Sequence, residues 1–91
     1  MIRRQKKGNE VRITFALPDE SSLGQVSVVG DFNAWTPGVH TLVRRANGTR
    51  SVAVSVPAGS TQRFRYLGED GIWFDDPEAD AHAEPDCIIL T

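Results

Sequence analysis

The chain has 91 residues, of which 40% are hydrophobic and 24% charged, with a formal net charge of −2. That length allows one domain near the lower limit of what folds without staples, and the composition is that of an ordinary globular protein. No apolar run reaches membrane-spanning length, no apolar stretch follows the basic N-terminus as in a secretory signal, and the slightly acidic balance does not favour nucleic acid as the main partner. Cys87 is the single cysteine, which excludes an intrachain disulfide and suits a reducing compartment, so a cytoplasmic location is expected.

Residues 1–9 carry Arg3, Arg4, Lys6 and Lys7 and read as a short solvated basic arm ahead of one domain spanning residues 10–91. "EVRITFAL" alternates, with Val11, Ile13, Phe15 and Leu17 on one face and Arg12 and Thr14 on the other. Pro18 ends it, and "PDESSLG" reads as a loop. "QVSVVG" is the next strand, with Val26 and Val28 inward. The polar loop "GDFNAWTPG" follows, and then "VHTLVRR", a strand of weaker pattern in which His40 is expected to be exposed.

"ANGT" reads as a tight hairpin whose Asn47-Gly48 supplies positive φ angles. "RSVAVSV" points Val52, Val54 and Val56 inward. "TQRFRYLG" points Phe64 and Tyr66 inward and Arg63 and Arg65 outward. "EDG" turns the chain into the short "IWF"; the acidic segment from Asp75 to Pro85 reads as irregular and solvated, and "CIIL" is a last strand. About seven short strands with turn signals between them predict an all-β, immunoglobulin-like antiparallel β-sandwich, with a small barrel as the alternative.

Two tryptophans stand out against this pattern. Trp35 lies in the turn-forming "GDFNAWTPG" and Trp73 follows the turn in "EDGIWFDDP". An indole in a polar turn wastes apolar area in a thin core unless something covers it. Each could cap an end of the sandwich. Equally, a flat indole can cover the C–H face of a pyranose while the hydroxyl rim stays wet, and Arg65 or Asn33 could bond the hydroxyls. The residues alone leave both readings open.

"VSVVGDFNAW", followed by "QRFRYLGEDGIWFDDPEAD", resembles the family 48 carbohydrate-binding module, also called the isoamylase N-terminal or early-set domain. That family occurs beside glycogen-branching and debranching enzymes and in the β subunit of AMP-activated protein kinase. The resemblance runs from about Val11 to Leu90 and extends to small stand-alone bacterial members. It implies an early-set sandwich without catalytic activity that binds α-1,4-linked glucan, either a glycogen-like polysaccharide or a maltooligosaccharide. It also implies a glycogen-metabolising enzyme as a further partner.

By the same resemblance, Trp35 and Trp73 are the stacking platforms, and Arg65 stands where many relatives carry a hydroxyl-bonding Lys. Asn33 belongs to the first element. Asp86 stands about where the family places a sugar-reaching Asn, preceded here by Glu84 and Pro85. An early-set protein-interaction module with weak or lost glucan binding is the alternative function.

No catalytic residue, cofactor or metal site is expected. Asp75, Asp76, Glu78 and Asp80 could supply a carboxylate pair for glycoside hydrolysis, but nothing in the sequence builds a pocket that raises an acid's pKa. His82 among Asp80, Glu84 and Asp86 lacks the pattern of a calcium or zinc loop. Cys87 has no activating partner and reads as a small buried hydrophobe. Ser21-Ser22 match no phosphate-cradling motif.

Overall fold

Alternation in the longer strands sets the interior. The computed structural model describes residues 1–19, 24–83 and 86–91. The part of the expected "PDESSLG" loop at 20–23, with Ser21-Ser22, and the Glu84-Pro85 pair therefore lie outside the described residues. Nine strands form among the described residues: β1 (Ile2–Lys7), β2 (Glu10–Pro18), β3 (Val26–Gly30), β4 (Val43–Arg44), β5 (Thr49–Pro57), β6 (Thr61–Gly68), β7 (Trp73–Phe74), β8 (Ala81–Ala83) and β9 (Asp86–Leu90). One antiparallel sheet has the order β1-β2-β5-β4; the other has the order β3-β6-β9-β8, with β7 also paired to β6. The two stack as an immunoglobulin-like all-β sandwich. No helix among the described residues is long and apolar enough to cross a membrane.

The expected inward residues meet between the sheets. Val11, Ile13 and Phe15 of β2 and Val54 and Val56 of β5 face Val26, Val28, Phe64, Tyr66, Cys87 and Ile89. Leu17 and Val52 pack at the margin of this cluster. Phe15 is a hub, with its ring 5.0 Å from Phe64, 5.6 Å from Phe32 and 6.3 Å from Tyr66. Each fully buried side chain of this size contributes roughly 1.5–3 kcal/mol, and Tyr66, like Phe15, packs against three other rings.

Four expectations are corrected. The strand count is nine rather than about seven, because the two extra strands, β1 and β8, come from segments without an apolar pattern. The basic residues 2–7 are not a free arm but β1, paired along its length with β2 from Ile2–Phe15 to Lys7–Glu10. An edge strand needs only backbone pairing and one apolar contact, here Ile2 at the core margin, and its charges discourage edge-to-edge association. Residues 81–83, read as irregular, pair as β8 with β9.

The "VHTLVRR" stretch divides between sheets. Thr41 bridges Ser27 of β3, while Val43 and Arg44 pair with β5, and only Leu42 between them is buried. The fourth correction concerns the "ANGT" turn. Only Gly48 takes a positive φ, of 77°, and the Arg45 N–H bonds the Thr49 carbonyl at 2.7 Å. That is a three-residue loop with one left-handed position, not a two-residue turn needing two.

The opposite charges of the two chain ends meet in the structure. Arg4 Nε donates to the Leu90 carbonyl at 3.1 Å, its guanidinium pairs with Asp80, and Asp80 accepts the Leu90 N–H at 2.7 Å. Burial opposes ionisation of Asp80, yet the Leu90 N–H and Arg4 together hold its carboxyl below the ordinary value of 3.8. A carboxyl whose pKa is lower in the fold stabilises above its unfolded pKa and loses that contribution as pH falls through the folded one. Asp80→Asn should therefore be less stable than the parent at neutral pH. The gap should close below about pH 4, which urea melts over a pH series would measure.

Candidate functional site

The pleat of β6 sends Phe64 and Tyr66 inward and Arg63, Arg65 and Leu67 to the outer face. Register extends that face sideways. Arg65 lies opposite Val29, and Leu67 lies opposite Ser27 on one flank and Trp73 on the other. β9 pairs with the other half of β6 on the same flank as β7. Its Cys87 faces inward opposite Phe64, so Asp86 falls on the outer face beside Ala83. Trp73, Arg65 and Asp86 thus share one face of one sheet.

Trp73 is exposed, with 40% of its surface open. The Arg65 guanidinium carbon lies 5.8 Å from the centre of its ring, and Arg65 Nε is 3.2 Å from Asp75 Oδ1. Asp75 therefore steers Arg65 over the indole. The cation–π contact is worth about 0.5–1 kcal/mol at an exposed position, enough to bias both side chains. Ile72, next to Trp73, is 60% exposed and extends the apolar tip. Asp86 is engaged by Arg63, with Nη1 to Oδ2 at 3.7 Å.

Trp35 is mounted differently. A 3₁₀ turn, Asp31–Asn33, follows Gly30, and then Ala34 (φ 54°) and Trp35 (φ 56°) both adopt the left-handed conformation. Two consecutive non-glycine residues there cost roughly 1–2 kcal/mol each, so other contacts must hold the turn. Asn33 holds it from inside. Its Oδ1 accepts the Gly30 N–H at 3.0 Å, while its Nδ2 donates to the Val28 carbonyl at 3.0 Å and to His40 Nδ1 at 3.0 Å. The acceptor role of Nδ1 places the His40 proton on Nε2.

Asp31 holds the turn from outside. Its Oδ1 accepts the Trp35 indole N–H at 2.9 Å and its Oδ2 accepts the Arg63 backbone N–H at 2.9 Å. The half-buried indole is thus fixed by a carboxylate that is itself tied to β6. Phe32 anchors the turn below, its ring 5.6 Å from Phe15 and 5.8 Å from His40. The expected exposed strand histidine is in fact half-buried in this mount.

The polar atoms of Asn33 are thus spent on the turn, whereas Trp73 and Arg65 lie together on the open face. Sequence reading missed Asp31 and Asp75, the acids that orient Trp35 and Arg65. Asp31 and Trp35 stand four residues apart around a turn, a spacing that would have pointed to the indole bond.

The remaining acids have separate partners. Asp76 is a correction: it is not a solvated loop acid but 1% exposed, accepting the Tyr66 hydroxyl at 2.6 Å and the Glu78 N–H at 2.8 Å. Burial, reinforced by Asp76, raises the Tyr66 hydroxyl far above the usual phenol range. His82 Nε2 lies 3.2 Å from the Asp76 carbonyl. Among the described residues no three His, Cys, Asp or Glu side chains gather as metal ligands do. Cys87 is fully buried, and burial raises its thiol above the ordinary range, away from nucleophilic reactivity. Compared with protein families and with curated proteins, the chain matches no family model and no curated protein.

Proposed function

We propose that the outer face of the β3-β6-β9-β8 sheet binds α-1,4-linked glucan without catalysing any reaction, Trp73 and Trp35 stacking on sugar rings and Arg65 bonding hydroxyls. The observation that carries this reading is the open indole of Trp73 beside an Arg65 already steered by Asp75. Trp35, held in a costly backbone conformation, supports it, because strain of that kind persists where a side chain must be presented in one orientation. Asp86, engaged by Arg63, supplies acceptors at the margin. A cytoplasmic α-glucan, as polymer or maltooligosaccharide, is the ligand that this surface suits, and an enzyme acting on such glucans is the natural neighbour.

Native gels containing glycogen or amylopectin, with fluorescence titration by β-cyclodextrin, test the proposal. The parent should be retarded, and Trp73→Ala or Trp35→Ala should weaken binding by roughly tenfold or more while circular dichroism stays that of a sandwich. Folded variants that bind like the parent would refute the assignment of those residues.

One observation favours a second reading. Ile72, exposed beside Trp73, gives an apolar tip of the kind seen at protein interfaces. A parent protein that ignores every glucan would move the function to a protein-interaction module.

A further inference from the structure

The opposite outer face, on the β1-β2-β5-β4 sheet, has a different chemistry. Arg3 faces Thr14 across the β1–β2 pair, and Gln5 faces Arg12 in the next row. These four, with Arg4, line a recess of about 410 Å³. Among the described residues no carboxylate lines it, unlike the neighbouring recess of about 450 Å³, where Glu10 stands beside Lys7 and Arg12. Arg4 is bound to Asp80, but neither Arg3 nor Arg12 forms an ion pair with a carboxylate among the described residues. The polar contact of Arg3 is with the Met1 sulfur at 3.3 Å.

The chain has a net charge of −2, and of the seven ion pairs among the described residues only Arg4–Asp80 involves a residue of this recess. Two guanidiniums, a carboxamide and a hydroxyl line the recess, with no acid among the described residues there. Guanidinium forks match the oxygens of a tetrahedral oxyanion, and Gln and Thr add neutral donors. We infer that this recess binds a phosphoryl group, with Arg12 as its central ligand and Arg3, Gln5 and Thr14 around it. It lies on the sheet opposite Trp73 and Arg65, so the inference stands apart from glucan binding.

Proton–nitrogen correlation NMR of the full chain, titrated with inorganic phosphate and separately with inorganic pyrophosphate at constant ionic strength, tests it. Saturable shifts are expected at the amides of Gln5, Arg12 and Thr14 and at the Nε–H of Arg3 and Arg12. Arg12→Gln should weaken apparent affinity by about tenfold or more. Arg63→Gln, the same charge change on the other sheet, should leave it unaltered. Stronger binding of pyrophosphate would identify linked phosphates as the source of the ligand, and equal binding a single phosphoryl group; either supports the site. Linear shifts without saturation, shifts scattered over the cations of both sheets, or equal weakening by the two variants would overturn it, leaving net charge alone as the cause.

Discussion

Replacing Gly30 with alanine is expected to destabilise the domain by about 3 kcal/mol, a large effect for a single methyl group. The backbone dihedrals are not the reason, since φ at Gly30 is −171°, an extended value open to any residue. The reason is space. A Cβ at Gly30 would lie 2.4 Å from the Arg63 carbonyl oxygen, 2.9 Å from Phe64 Cβ and 2.9 Å from Phe32 Cε2. A ring can rotate, but the carbonyl belongs to the central strand of the sheet. Relief therefore requires β3 and β6 to separate where Gly30 faces Phe64.

Such a shift would also carry away the Asp31 carboxylate, which joins the Arg63 N–H to the Trp35 indole. Urea unfolding followed by tryptophan fluorescence would read both consequences. Gly59→Ala is the control: its Cβ would meet nothing within 4 Å, and only its φ of +77° opposes the substitution. About 1–2 kcal/mol is expected there. A Gly30→Ala protein no less stable than Gly59→Ala would show that the strands do not approach this closely.

Why some of this was legible in the sequence and some was not follows from the kind of signal each residue carries. Val11, Ile13 and Phe15, or Phe64 and Tyr66, are set by period-two alternation, which burial enforces because a slip of one residue would turn a whole face outward. β1 and β8 carry no such signal. "RRQKK" and "AHA" gain their place from backbone pairing to a neighbour already formed, and a sequence pattern cannot show a neighbour.

The site divides in the same way. Trp35, Trp73 and Arg65 could be named because an indole in a turn or an arginine alternating with core aromatics is locally odd. Asp31 and Asp75 could not be told from other loop acids, since their role depends on which side chain the fold brings within 3.2 Å. Asp76 shows the same limit in its strongest form. It adjoins Asp75 in an acidic run, yet only the packing of that run over Tyr66 makes it a buried acceptor.

That pair should behave as one unit when it is broken. Tyr66 is the single tyrosine of the chain and is fully buried, with its hydroxyl 2.6 Å from Asp76 Oδ2. The other Asp76 oxygen accepts the Glu78 N–H, so both oxygens must act as acceptors. Asp76→Asn can supply only one: its amide nitrogen would confront either the hydroxyl, which could turn and accept, or the Glu78 N–H, which cannot. Tyr66→Phe leaves the buried Asp76 Oδ2, among the described residues, with only the Met1 ammonium, 3.9 Å away. Each change is expected to cost about 1–3 kcal/mol.

The double variant should cost less than the sum of the two. With phenylalanine at 66, the asparagine is free to aim its oxygen at Glu78, and the coupling should fall in the range of roughly 0.5–3 kcal/mol. Additivity within about 0.5 kcal/mol would mean that the two side chains do not depend on each other. A second readout uses the phenol itself. A phenol whose pKa is raised in the fold keeps its full contribution below the unfolded pKa and loses it as pH rises beyond that value. Ultraviolet absorbance should therefore show no phenolate on passing about pH 10, and ionisation should coincide with alkaline unfolding. Phenolate appearing while the near-ultraviolet dichroism is still that of the folded protein would place Tyr66 in water rather than against Asp76.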